Sequence, residues 1–195
     1  MDISSAMLKE AVRKAPSLEH KLLRADLRRL PFANDVFAGA LIVHILHLIG
    51  DWKLVLQEVR RVLRPGASLF IGSETGRSFP TVLKYLDLAR EHGQRRDHIG
   101  AGSQEMVFDF LFKQGCHVER IDEGAFRWIA SATTSELLAS LKMNPYSQLW
   151  HLTREEHSSL FTELLSALGN QCADQNETEQ AKSEMVLWQV RFPER

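Results

Sequence analysis

The stretch FAGALIVHI, residues 37–45, decides the architecture. It runs almost without polar interruption until His44, as a strand buried on both faces does. On its C-terminal side, WKLVLQEVRRVL (52–63) places Leu54, Val55, Val59, Val62 and Leu63 on one helical face and its charges on the other. Asp51 stands before it as an N-cap and Pro65-Gly66 ends it. ASLFIGSE (67–74) then reads as a strand. On the N-terminal side, Asp2-Ile3-Ser4-Ser5 supplies capping oxygens to a helix over 5–15, with Ala6, Met7, Ala11 and Val12 along one stripe and Pro16 as its stop. KLLRAD (21–26) is a short strand candidate. Helix, strand, strand, helix, strand with short connections predicts an α/β fold, with right-handed crossovers and a mainly parallel sheet flanked by helices.

The second half is less regular. Residues 77–102 predict a helix followed by the loop HIGAGSQ, 103–114 another helix, and CHVERID a strand after Gly115. Residues 125–182 read as a mostly helical insertion or cap, in which ADQNETEQ is an exposed loop, and MVLWQVRF within 183–195 as a final strand. The expected organisation is one domain, 1–195: a partial cofactor-binding core over 1–74, a lid helix and sheet continuation over 75–124, the cap over 125–182, and the last strand.

Composition excludes several classes. Lys plus Arg number 24 against 25 for Asp plus Glu, so no global field argues for nucleic acid or an anionic membrane. Cys116 and Cys172 form no spaced framework, and no CxxC stands ready for zinc. The run ALIVHILHLIG is too short to span a bilayer, and the N-terminus lacks signal-peptide blocks, so a cytoplasmic location is expected.

In an open parallel sheet, ligands bind beyond the carboxyl ends of the strands. That rule selects Asp26, His44, Ser73 and Glu74 at strand ends, and Asp2 at the end of a strand that would lie before the chain begins. A carboxylate so placed can bind a ribose diol, and a second can accept from the exocyclic amine of a purine. The alternative is that Asp2 caps a helix and Asp26 starts a turn.

These residues also fit a larger pattern. ADLRRLPFANDVFAGALIVHILHLIGDWKLVLQEVRRVLRPGASLFIG resembles class I S-adenosylmethionine-dependent methyltransferases of the type 11 group, a Rossmann-like fold. The matching pieces are D-x-S-x-x-M-L at Asp2, Ser4 or Ser5, Met7 and Leu8; Ala25-Asp26; Leu30-Pro31-Phe32; Asp35-Val36-Phe37; Val43 to His47; and E-V-R-R-V-L-R-P-G before the strand at 67. The resemblance implies S-adenosylmethionine as cofactor and a small-molecule acceptor. It gives Asp2 the ribose hydroxyls, with Ile3 beside it, and Asp26 the adenine amine, with the Leu27 amide adjacent; Val43 and His44 border the cofactor. His47 would face the acceptor and take its proton, as a neutral imidazole suits that task near pH 7. The other reading of His47 is a capping or packing histidine, and no third ligand is spaced to complete a metal site with His44. Phe126, Trp128, Leu137, Leu138, Leu141, Tyr146 and Trp150 are candidates to line a lid over the acceptor, or ordinary helical core.

The family's glycine-rich [DE]-x-G-x-G loop is not found in the 195 residues; Gly100 and Gly102 fall downstream and read as loop glycines. The resemblance therefore implies a chain truncated at its N-terminus, without the first strand, first helix and most of the second strand, through an internal Met read as a start or a gene remnant. Three expectations follow. The edge of the strand at 37–45 is exposed, unless 21–26 closes against it; the chain self-associates or pairs with a full-length relative; and S-adenosylmethionine binds weakly or not at all. A non-catalytic partner subunit is the second reading. No GxGxxG or GxSxG supports an oxidoreductase or a serine hydrolase.

Overall fold

A computed structural model describes residues 1–76, 79–94, 96–121, 126–169 and 177–194. Helix α1 (Ser5–Lys14) starts at Ser4, whose hydroxyl accepts from the Met7 amide at 3.3 Å. Asp2 is not the cap: its Oδ1 accepts from the Ser4 amide at 2.7 Å. None of α1 is buried, so the apolar stripe expected there faces no core. A 3₁₀ helix over Pro16–Lys21 follows. The expected strand 21–26 is reduced to one parallel bridge, Asp2 to Arg24, because its partner stretch turns into α1 within three residues.

The central elements form where the sequence expects them, but the strand at 37–43 is not buried on both faces: among its residues only Ile42 is buried, and Leu54, expected on the apolar face of the next helix, is exposed. Strand β1 (Phe37–Val43) and helix α2 (Trp52–Val62) lead into strand β2 (Leu63–Thr75), which pairs parallel with β1. Their register jumps between Phe37 and Gly39, so Arg64 to Ala67 form a bulge around Gly66, where φ is +77°. β1 ends two residues earlier than expected, because His44 adopts φ +47° and leaves the extended ladder. Asp51 sits at the N-cap of α2 without a side-chain cap bond, its carboxylate instead 3.4 Å from Arg28.

Beyond β2 come α3 (Pro80–Glu91), α4 (Gln104–Lys113), β3 (His117–Ile121), β4 (Arg127–Thr133), α5 (Thr134–Lys142), α6 (Arg154–Leu168) and β5 (Thr178–Arg191). The helix expected in SFPTVLKYLDLAREHG, 78–93, forms over Pro80–Glu91. The expected helical cap is interrupted by β4, and β5 begins at Thr178, which takes part of the expected ADQNETEQ loop into the sheet; Cys172 and the start of that loop lie outside the described residues. Helices α5 and α6 do form, each opened by a capping box, Thr133 with Glu136 and Thr153 with Glu156.

The sheet runs β1-β2-β5-β3, with β4 also on β5. It is mixed rather than mainly parallel, since β2, β3 and β4 all pair antiparallel with β5. An apolar run carries no sign of strand direction, and one long strand running the other way sets three of the pairings. β5 offers one edge to β2 and divides the other, Leu187–Arg191 to β3 and Thr178–Glu184 to β4. Among the described residues β1 pairs with β2 alone, so 21–26 does not close against it.

Two apolar clusters hold the fold. The first packs α2 and α4 on β1 and β2 through Val55, Leu56, Leu69, Leu111 and Val190. The second joins α3, α5 and α6 to β4 and β5 through Tyr85, Leu141, Leu160 and Leu164. At ~25 cal/mol per Å² of apolar area, burial of this kind dominates the stability of the sheet and its helices.

Candidate functional site

Two cavities meet at the carboxyl ends of β1 and β2. The smaller, about 330 Å³, lies between Ile42, Ile71, Gly72 and Ser73 on the sheet and the start of α4, where Ala101 to Gln104 close it. The larger, about 780 Å³, opens toward Phe79, Val82 and Leu86 of the α3 region, Leu137 and Leu141 of α5, and the loop carrying Tyr146, Gln148 and Trp150. His44, His47 and His98 line both.

Local chemistry fixes these histidines. The turn at His44 aims its Nε2 at the Glu74 amide, which donates to it at 2.6 Å and ties the end of β1 to the end of β2. His47 follows in a 3₁₀ turn, Leu46–Leu48. Its ring meets that of His98 edge to face at 4.5 Å, and no hydrogen bond ties its ring nitrogens among the described residues. Burial, and then the nearby His98 and His44 rings, hold the His47 imidazole below its usual 6.5. His47 is therefore neutral near pH 7 and able to accept a proton. His98 is 3.2 Å from the Gln148 side-chain amide, and the Gln148 carbonyl accepts from the Arg96 amide at 3.3 Å, so the loops at 96–98 and 146–148 are joined.

Gly100 shows how tightly that arrangement is seated. Its amide donates to the His47 carbonyl at 3.0 Å and the next amide, of Ala101, to the Leu46 carbonyl at 3.1 Å. A Cβ on Gly100 would overlap the Leu46 carbonyl oxygen and come within 2.6 Å of that of Ile49. The glycine is a loop residue, as its sequence context predicts, and its absent side chain is what lets His98 reach His47.

The acidic candidates lie elsewhere. Asp2 is joined to the stretch 23–25: its amide donates to Leu23 and its carbonyl accepts from Ala25, both at 3.1 Å, and the Ile3 carbonyl accepts from Arg24. Asp26 is clasped by Arg28, which donates to both its oxygens and, at 2.8 Å, closes an ion pair. That guanidinium holds the Asp26 carboxyl below its usual 3.8. Leu27 packs on the first core cluster. Val43 lies beside Gly72, where an added Cβ would meet Val43 Cγ2 at 3.2 Å. Of the sequence-predicted residues, then, His44, His47, Ser73 and Glu74 line the cavities, whereas Asp2, Ile3, Asp26, Leu27 and Val43 do not.

Of the lid candidates, Leu137, Leu141, Tyr146 and Trp150 line the larger cavity. Leu138 packs on the second cluster, and Phe126 and Trp128 are exposed at the sheet surface. Sequence reasoning missed His98, Ser103 and Gln104. Gln104 is the telling omission, as its Nε2 is buried on the smaller cavity without a hydrogen-bond partner, a donor left over for a ligand's acceptor. A polar residue after a glycine loop and at a helix start was the available signal.

Residues 1–71, which carry β1, α2, most of β2 and the site histidines His44 and His47, match a family model. The family is the methyltransferase domain. Among solved structures, a Bacillus halodurans protein classed as a methyltransferase is 15% identical, with a TM-score of 0.54 over 98% of this chain and 81% of its own. The YcgJ protein of Bacillus subtilis is 13% identical, with a TM-score of 0.54 over 98% of this chain and 80% of its own. An Anaeromyxobacter dehalogenans protein classed as a type II methyltransferase is 15% identical, with a TM-score of 0.53 over 87% and 70%. At such identities the likeness is one of fold. No curated protein sequence matches the chain. Among the described residues no helix is long and apolar enough to cross a membrane, and no cluster of His, Cys, Asp or Glu is arranged to hold a metal ion.

Proposed function

We propose that the chain is an S-adenosylmethionine-dependent methyltransferase acting on a small or medium organic acceptor in the cytoplasm. The observation that carries this reading is the pair of joined cavities at the carboxyl ends of β1 and β2, with a neutral His47 between them. When bound, S-adenosylmethionine supplies a methyl carbon on a sulfonium sulfur, a leaving group already activated.

The chain's residues then have mainly to bind, align and exclude water. The smaller cavity fits the cofactor's polar end in one respect, the unpartnered Gln104 amide. Outside both cavities, Asp2, with Ile3 flanking it, would hold the ribose hydroxyls, and Asp26, with the Leu27 amide, would hold the adenine amine in place of one of the bonds Arg28 now makes to it. Val43 and His44 border the cofactor, and His47 accepts the acceptor's proton. Because no [DE]-x-G-x-G stretch occurs in the sequence, we expect a dissociation constant on the order of 100 μM, about −5.5 kcal/mol. Isothermal titration with S-adenosylmethionine and S-adenosylhomocysteine tests this; no heat at millimolar ligand removes the cofactor assignment, and low-micromolar binding removes the role given to the glycine loop.

One observation favours a second reading. β1 is an edge strand with Leu41, Val43 and Phe37 exposed, and Leu41 is 63% accessible. A non-catalytic chain that pairs along this edge, with a second copy or a complete relative, would cover it. Light scattering after gel filtration, and co-purification with such a relative, distinguish this reading from a free-standing enzyme.

A further inference from the structure

The larger cavity has a composition that points to its occupant. Its walls are mostly apolar and partly aromatic, with Phe79, Leu137, Tyr146 and Trp150 among them, while its inner end meets the His47 ring. That ring is not engaged by any hydrogen bond among the described residues, and its neighbour His98 is held in place by Gln148. We propose that this cavity takes an apolar molecule bearing an aromatic or enolic hydroxyl, that His47 removes the hydroxyl proton, and that His98 is a positioning residue for His47. The proposal rests on the methyltransferase reading for what happens to the oxygen afterwards, and on the cavity alone for what binds.

The hydroxyl class follows from proton affinity. A phenol or enol, which like the tyrosine side chain ionises near pH 10, gives up its proton to a neutral imidazole more readily than an aliphatic alcohol does, and its flat ring suits the aromatic walls of the cavity. An acceptor such as a thioether or a tertiary amine carries no proton on its nucleophilic atom, and would leave His47 without a task. In the step itself the O–H bond breaks, a bond forms between that proton and a His47 ring nitrogen, and the electron pair stays on oxygen. The proton then passes to water through the mouth of the cavity.

His98 acts through His47. Its ring stands edge to face against the His47 ring, Gly100 lets the backbone behind it seat on the Leu46–Ile49 turn, and the Gln148 amide takes one of its nitrogens. The titratable groups that share the cavity with His47 are His44, Glu74, His98 and Tyr146, and of these it is His98 whose ring is in contact with it. Replacing His98 removes both a wall for the His47 ring and the neighbouring imidazole that helps hold the His47 pKa down.

The test uses the full chain with two probes, 2-naphthol and 2-methoxynaphthalene, which differ in the hydroxyl proton. Binding is followed by ligand fluorescence, and the His47 pKa by NMR of the imidazole protons. The wild type is expected to prefer 2-naphthol by about fivefold to tenfold, the range of one net hydrogen bond. His47→Ala is expected to abolish the preference while retaining the naphthalene affinity. His98→Ala is expected to reduce the preference and raise the His47 pKa; Gln148→Leu does the same to a smaller degree and serves if His98→Ala does not fold. Equal binding of the two probes by the wild type, a preference that survives His47→Ala, or an unmoved His47 pKa in the folded His98 or Gln148 variant overturns the proposal. If the preference appears but S-adenosylhomocysteine is never released, the methyltransferase reading fails and the hydroxyl site stands. Methyl transfer to an acceptor that neither histidine substitution affects has the opposite meaning.

Discussion

Between Met1 and Arg29 no side chain is buried, whereas between Trp52 and Ile71 the chain buries Trp52, Val55, Leu56, Val59, Val62, Leu63, Leu69 and Ile71. Both stretches lie in the part matching the methyltransferase domain. The difference is in what holds them. Helix α2 and strand β2 are fixed by the first apolar cluster, while the first segment is held by the Asp2–Arg24 bridge and a handful of exposed polar contacts. A sequence pattern can therefore be equally clear in two places and have very different stability behind it. Local opening follows the same division, because segments with few buried contacts open at far less than the global cost.

The sharpest way to break this contrast is by truncating one side chain in each stretch. Leu56 is 1% exposed in the first core cluster, and Leu56→Ala is expected to cost about 3–4 kcal/mol in urea denaturation. Met7, 58% exposed, is expected to lose less than ~0.5 kcal/mol as Met7→Ala. A Met7→Ala loss approaching that of Leu56→Ala would mean that α1 is covered in solution by something that buries its stripe.

Gly100→Ala comes next. The new Cβ would overlap the Leu46 carbonyl, so the loop or the 46–49 turn must shift, at about 2 kcal/mol. The expected signature is not only a lower urea midpoint but a change in the His47 and His98 imidazole resonances together. Intact resonances with lost stability would disconnect this glycine from the site.

Arg61 ties the two sides of the contrast together. It donates to the Leu30 and Phe32 carbonyls and is paired with Glu58, which also accepts from the Leu30 amide at 2.8 Å. Arg61→Leu is expected to lower the urea midpoint by less than Gly100→Ala does and to raise protease sensitivity around residues 28–36. The Arg61 guanidinium holds the Glu58 carboxyl below its usual 4.5. A lowered carboxylate pKa gives stability that is complete above pH 4.5 and lost as pH falls through the folded-state value. The wild type should therefore lose stability below pH 4.5 more steeply than Glu58→Gln; parallel acid limbs in the two proteins would show that the pair contributes nothing.

The same contrast explains what could be read before the fold was known. α2 and β2 were legible because their apolar spacing is a direct consequence of burial on the sheet, whereas the strand at 37–43 was placed by its apolar run although only Ile42 in it is buried. β4 was not: Arg127–Thr133 packs small Ala130 and Ala132 inward and leaves Trp128 and Ile129 exposed, so its pattern resembles a helix start as much as a strand. The direction of β5 was invisible, since pairing partners separated by more than a hundred residues leave no local mark. At the site, His44 and His47 could be chosen because they follow a strand. His98 could not, because what brings it to His47 is a glycine packed on a carbonyl and a glutamine fifty residues further on.

The smallest expected effect concerns Arg28, in the unburied segment. Its guanidinium spans Asp26 and Asp51 at the surface, a pair of contacts that solvent screens, so Arg28→Ala should leave the urea midpoint unchanged within error. Yet the same guanidinium donates to both Asp26 oxygens. If Asp26 receives the cofactor's adenine amine, those oxygens must be released first, and Arg28→Ala removes that competition. S-adenosylmethionine should then bind about twofold to fivefold more tightly, on the scale of part of one hydrogen bond, while Asp26→Asn in the same background loses the gain. Tighter binding that persists in the double variant would take the adenine away from Asp26. Weaker binding in Arg28→Ala alone would mean that the guanidinium itself holds the cofactor, making the exposed clasp part of the site.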